Sequence, residues 1–251
     1  MKILTLNTWN EEGPWRQRWE VIFKGIEIAQ PDIIGFQEIF DAAWANEVTA
    51  RSGLNYSAFP NDSSGLMVLT RFPIQTWSSL MLTTQSPRED YRRYVTCVQV
   101  DVDGEKLAIF NTHLSWRLDE GAVRERQVSE ILEIIKNKSH GLKAIVTGDF
   151  NSTPDSQEIQ LMKLQGDFVD TYGRLHPKGD GFSWDNRNLF TASHGLPDRR
   201  LDYIFVKGDS GLSEKLLSAD LIFTQPDQQG VYASDHYGVM TMLKNWVSAN
   251  K

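Results

Sequence analysis

A single cysteine, Cys97, is all the thiol chemistry this chain possesses. An internal disulfide is thereby excluded, and a reducing compartment such as the cytoplasm is expected. No apolar run approaches the roughly 20 residues that a spanning helix needs, so no membrane insertion is expected. The opening MKILTLNTWN reads as a strand almost from Met1, which argues against a cleavable leader. Internal repeats, low-complexity tracts and Pro/Ser-rich linkers are also lacking, and residues 1–251 are read as one domain. Basic charge is short as well: 26 Lys and Arg stand against 33 Asp and Glu, a net of −7. A protein gripping long nucleic acids by their phosphates usually presents a basic surface, so that class is weakened. A carboxylate cluster that binds metal would add to the acidic excess.

Apolar residues make up 40% of the chain, enough for a sizeable core. The stretch KILTLNT predicts a buried strand, and Trp19, Ile22, Phe23, Ile26 and Ala29 recur at helical spacing across Gln17 to Ala29. A short strand DIIGFQE follows Pro31, then a helix over Ala42 to Ala50. The pattern next turns to β through LNYSAF, GLMVLTRF, PIQTWSSLML, YVTCVQVDV and KLAIFNTHL. Glu120 to Lys138 predicts a long helix, LKAIVTGDF a strand, and STPDSQEIQLMKL a helix with Pro154 near its start. RLDYIFV and HYGVMTML read as late strands. Consecutive strands that later alternate with helices suit an α/β four-layer sandwich: two stacked mixed β-sheets flanked by helices.

The informative feature is where polar residues fall. Six apolar runs are bounded at one end by groups that are costly to bury: Asn7, Glu38, His113, Asp149 with Asn151, Asp202, and Asp235 with His236. A strand core ending abruptly in a carboxylate, amide or imidazole puts that group at a sheet rim, and several such rims make one polar pocket. Two or three carboxylates suit Mg²⁺ (or Mn²⁺), a hard cation that prefers oxygen and keeps several waters. Such a metal neutralises a phosphoryl oxygen, while histidines transfer protons or donate to phosphate oxygens.

In order, QE, NTH, GDFN and SDHYG resemble the endonuclease/exonuclease/phosphatase family, with the resemblance running from Asn7 to His236. It implies the deoxyribonuclease I-like sandwich and a Mg²⁺- or Mn²⁺-dependent phosphoric ester hydrolase working by in-line attack of water. It implies metal roles for Glu38, Asn7 and Asp235. His236 resembles the histidine across the scissile phosphate, with Asp202 orienting it. Asp149 resembles the residue that handles the attacking water, Asn151 the phosphate-binding amide, and His113 a second phosphate-facing histidine. Abasic-site and tyrosyl-DNA members carry Asp two residues after the first-strand Asn, where this chain has Trp9. LNTW is nearer the form of the sphingomyelinase-like members, and GLMVLTRF supplies no clear acidic partner for His113.

Substrate choice must come from the periphery. Arg93, before YVTCVQV, and Trp184, in the long irregular stretch 166–199, are candidate substrate-binding residues. His140, His176 and His194 are assigned structural roles. The expected partner is a phosphoester substrate, either a small molecule or a nucleic-acid end, with no obligate protein partner. The alternatives are an endo- or exonuclease acting on DNA or RNA, and a non-catalytic binding protein of the same fold.

Overall fold

A computed structural model describes residues 1–60, 63–208, 211–244 and 246. The chain opens with β1 (Lys2–Asn7), α1 (Trp15–Ala29), β2 (Ile33–Gln37) and α2 (Ala42–Arg51). Five strands follow: β3 (Tyr56–Ala58), β4 (Met67–Thr70), β5 (Ile74–Met81), β6 (Tyr94–Val102) and β7 (Glu105–His113). Next come α3 (Gly121–Ser139), β8 (Lys143–Asp149), α4 (Gln157–Leu164), β9 (Phe168–Asp170), α5 (Thr171–Leu175) and α6 (Leu189–Ala192). The last elements are β10 (Asp202–Lys207), α7 (Leu212–Lys215), β11 (Leu216–Ile222) and β12 (Gly238–Leu243).

The strands form two six-stranded mixed sheets, ordered β11-β12-β1-β2-β4-β3 and β5-β6-β7-β8-β10-β9. Each holds one parallel pair, β1 with β2 and β7 with β8, and the chain crosses between partners through α1 and α3. The other pairings are antiparallel.

Alternation along the strands sorts side chains into three apolar layers. Ile3, Ile33, Val68, Ile109, Ile145, Ile204 and Val239 pack between the sheets. Their neighbours Leu4, Ile34, Leu69, Phe110, Val146 and Phe205 face outward, the first three onto α1 and α2 and the rest onto α3 and α4. This is the expected four-layer sandwich. Strands buried on both faces read as continuous apolar runs, which is why they were legible in the sequence.

Toward the end that carries the polar residues, the filling between the sheets becomes polar. Asn111 donates to the carbonyls of Phe36 (2.7 Å) and Met67 (3.2 Å), and its Oδ1 accepts from Gln37 Nε2 (2.8 Å) and Thr147 Oγ1 (3.1 Å). Gly35 is needed beside this network, because a Cβ there would sit 2.2 Å from Thr147 Oγ1. Buried polar networks of this kind fix one arrangement of the layers.

Two local expectations are corrected, and one strand is added. The helix after GDFN starts at Gln157, because Ser152 to Ser156 stay in turns and Ser156 is extended. The stretch 166–199 is not irregular throughout: it holds β9, α5, α6 and a bridge between Trp184 and Arg199. β11, an edge strand, carries little apolar alternation to announce it, and its pairing with β12 decides its conformation. No helix among the described residues is long and apolar enough to cross a membrane.

Candidate active site

The two parallel pairs bring their carboxyl ends to the same end of the sandwich, the place where α/β sheets open a crevice for ligands. Asn7 closes β1 opposite Gln37, and Glu38 follows directly with a positive φ of 67°. In the other sheet His113 pairs with Asp149, which pairs in turn with Asp202, so three polar groups form one row across β7, β8 and β10. Asp235 and His236 lie just before β12, the antiparallel neighbour of β1. Gly148 is required in GDFN because a Cβ there would meet the Thr112 carbonyl at 2.3 Å.

Hydrogen bonds knit the two halves together. Asn7 Nδ2 donates to Glu38 Oε1 (3.0 Å) and across the sheets to Asp149 Oδ2 (3.1 Å). His236 Nδ1 is 2.7 Å from Asp202 Oδ2, and its Nε2 is 3.8 Å from Asp149 Oδ2. His113 Nε2 approaches that same Asp149 oxygen at 3.5 Å. Asn151, at φ 50°, donates its side-chain amide to the Leu114 carbonyl (3.1 Å) and its backbone N–H to Asp149 Oδ1 (2.9 Å).

The two imidazoles are driven apart in charge. Burial opposes protonation of His236, but Asp202, Asp149 and Asp235 outweigh it and raise its pKa well above the ordinary value. Burial, with Arg93 and His236 nearby, pushes His113 well below its ordinary value and keeps it neutral. The pair therefore offers one cationic and one neutral imidazole, a division suited to acid–base work. Among the carboxylates, burial raises Asp149 to about 6, aided by Asp202, and raises Asp235 to about 6, aided by Glu38. Glu38, partly open to the crevice, is also raised by desolvation, with Asp149 adding to it.

Glu38, Asp149 and Asp235 are thus carboxylates held together with too little positive charge among them. Two nearby guanidiniums are engaged elsewhere: Arg18 on backbone carbonyls, Arg93 through Nε and Nη2 on Glu89 (3.0 and 2.7 Å). An oxygen-rich, under-neutralised set of this kind fits a hard divalent cation. Among the described residues, Asp149, Asp202 and His236 form a buried group whose ligand atoms lie within 4.8 Å of one another, spacing consistent with a metal site when His236 is neutral.

All ten sequence-derived candidates lie in or against this crevice, but two sit differently from what a substrate contact requires. Arg93 is buried and paired with Glu89, so it acts on Glu38 and His113 mainly through its field. Trp184, only 7% exposed, packs edge-on against His236 with ring centroids 5.0 Å apart. The stretch around it serves as scaffold. The Ser183 hydroxyl accepts from the N–H groups of Leu201 and Asp202, Asn188 Nδ2 donates to the Ser234 carbonyl (2.7 Å), and the Thr191 hydroxyl donates to that of Asp235.

Sequence reasoning missed two contributors. His194, assigned a structural role, is exposed beside the site: its Nε2 is 3.6 Å from Asp235 Oδ2 and its ring lies 5.0 Å from Trp184 and 6.3 Å from Trp9. It lies in a loop with no apolar run to end, so no strand-rim signal marks it. Arg18 was missed because a helical arginine ordinarily faces solvent, and only the buried face of α1 shows otherwise. His176 is structural as expected, with Nε2 2.7 Å from the Ala219 carbonyl.

Human tyrosyl-DNA phosphodiesterase 2 is 24% identical over 254 residues, covering 96% of this chain and 68% of that protein. The structure of D. rerio TDP2 complexed with single-strand DNA product superposes with a TM-score of 0.80 at 19% identity, covering 96% of this chain and 97% of that one. Beta toxin from Staphylococcus aureus gives a TM-score of 0.80 at 17% identity, covering 97% and 100%. At these identities the structural likeness concerns the fold. Residues 4–236 match the Endonuclease/Exonuclease/phosphatase family, a span that takes in the whole crevice from Asn7 to His236, and the chain belongs to that family.

Proposed function

We propose that the protein hydrolyses a phosphoester bond, in a small molecule or at an exposed nucleic-acid end, with Mg²⁺ or Mn²⁺ as cofactor. The observation that carries this reading is the division of one crevice into an oxygen-rich side and an imidazole side. Asn7, Glu38 and Asp235 would hold the cation, which would supply charge neutralisation at the phosphoryl and leaving oxygens. His236, kept cationic and oriented by Asp202, donates to the phosphoryl oxygens from the other side. Asp149 accepts from Asn7 and faces both histidines, a location suited to orienting the attacking water. Asn151 and His113 offer neutral groups to the phosphate, and Arg93 and Trp184 support the site from behind. Water then attacks in line with the leaving group.

A nucleic-acid end is the more specific form of the proposal. What supports it is the sequence likeness to human tyrosyl-DNA phosphodiesterase 2, whose D. rerio counterpart has been seen with a single-strand DNA product. Trp9, standing where tyrosyl-DNA members of the family carry Asp, speaks for a different leaving group. One domain and a cytoplasmic setting, which the lone buried thiol of Cys97 suits, complete the proposal.

The test is a panel of bis-p-nitrophenyl phosphate, p-nitrophenyl phosphate, plasmid DNA, 5′-tyrosyl DNA, sphingomyelin and inositol phosphates, each with Mg²⁺ and with EDTA. Metal-dependent turnover of at least one is expected. None across the panel would leave the fold as a binding scaffold and overturn the enzymatic reading.

A further inference from the structure

Arg18 is 0% exposed, in the first turn of α1, and every N–H of its guanidinium is used. Nε donates to Glu12 O (3.0 Å), Nη1 to Thr8 O (2.6 Å) and Ala233 O (3.1 Å), and Nη2 to Trp9 O (3.0 Å) and Asn10 O (2.9 Å). Four of these carbonyls belong to the turn after β1, and the fifth lies two residues before Asp235. That turn has few bonds of its own, Trp9 N–H to Asn7 Oδ1 (2.9 Å) and Glu12 N–H to Trp9 O (3.2 Å) among them. Trp9 and Asn10 sit at φ 55° and 42°, a conformation disfavoured for residues with side chains. Its residues flank the oxygen-rich side: Asn7 reaches Glu38, Thr8 N–H donates to Gln37 O (3.0 Å), and Ser234 Oγ donates to Asn7 O (2.7 Å).

We propose that Arg18 is the positioning residue of the metal side: it locks the turn after β1 to the loop before Asp235, so that Asn7, Glu38 and Asp235 converge before any cation binds. With no donor left over, it touches neither substrate nor metal and acts through these loops. A planar fork of five donors is what the geometry demands, and a lysine offers three donors from one point. The guanidinium also lies within the field of Asp235 and Glu38, whose attraction partly offsets the burial that lowers its pKa to about 10. The metal-free protein thereby carries a cation near its carboxylates without surrendering a ligand atom.

This rests on the metal-side reading above, and the experiment separates the two. Mn²⁺ binding is measured by calorimetry on wild type and R18K, with circular dichroism to establish folding. R18K is expected to bind Mn²⁺ at least about tenfold more weakly while keeping its secondary structure. Wild type that binds no Mn²⁺ would overturn the metal-side reading and the proposal with it. Equal Mn²⁺ affinity in folded R18K would overturn the clamp alone and leave Arg18 a core-stabilising residue. Hydrogen exchange on metal-free wild type needs no variant and decides the matter should R18K not fold. The amides of Thr8, Trp9, Glu12 and His236 are expected to be protected already, with protection unchanged by Mn²⁺. Free exchange that is suppressed only on adding Mn²⁺ would show that the metal, not Arg18, orders the site.

Discussion

Asp202→Asn removes a charge from the imidazole side while keeping its shape, and so measures what that charge contributes. Asp202 Oδ2 and His236 Nδ1 are 2.7 Å apart, and both side chains are buried. A hydrogen bond to a charged group contributes about 1.5–3 kcal/mol. At 1.36 kcal/mol per factor of ten, its loss lowers kcat by roughly 10- to 150-fold if His236 works as an imidazolium. The pH dependence has a definite sign. Burial opposes the charge on His236, and Asp202 is the first of the carboxylates that overcome it, so the variant lowers the histidine pKa. The alkaline limb of the rate profile then moves to lower pH, and the deficit against wild type grows as pH rises. Asp149 loses a repelling neighbour, so its own pKa falls too. The assay is kcat and KM for bis-p-nitrophenyl phosphate at saturating Mg²⁺ across the neutral and alkaline range. Activity within about threefold of wild type throughout, with an unmoved alkaline limb, would refute a role for charged His236 held by Asp202.

Three further outcomes follow from the same structure. Because burial holds Asp149 and Asp235 near 6, the metal-free folded state binds more protons than the unfolded chain. Its stability should therefore fall as pH rises from about 4, the ordinary carboxylate value, through the raised pKa values. Mg²⁺ needs Asp235 ionised, so the Tm gap between Mg²⁺-loaded and EDTA-treated protein should widen over that window, and a constant gap counts against the carboxylate assignment. Gly35→Ala forces a Cβ to 2.2 Å from Thr147 Oγ1 and 2.9 Å from Asn111 Oδ1. Overpacking of this kind costs about 1–3 kcal/mol, or roughly 2–12 °C in Tm at this chain length; an unchanged Tm in a thermal melt would mean the layers are free to separate there. Burial pushes the Cys97 thiol up to about 12, so native protein at mildly alkaline pH should resist iodoacetamide until denaturant is added. Rapid labelling of the native state, read by mass spectrometry, would contradict that burial.

The sequence by itself determined the strands and the chemistry at their ends. Runs such as LTLN, IIGFQE, IFNTH and IVTGD are apolar because sheets covered on both faces demand it, and each stops at the layer's edge. That physical boundary is visible in one dimension, so Asn7, Glu38, His113, Asp149, Asp202, Asp235 and His236 could be named from it, and GDFN and SDH identified the family that orders them. Only the tertiary structure decided what depends on partners far along the chain. Arg93, though paired with nearby Glu89, was buried by the layers around it, and Trp184 packed under His236. His194 came to Asp235 from a loop that has no periodicity to read. β11 became a strand by pairing with β12. Arg18 looks like any surface arginine until α1 docks and five carbonyls from two loops close around it. Burial and hydrogen-bond satisfaction are properties of the assembled layers, and no local run of residues encodes which carbonyl will need a donor.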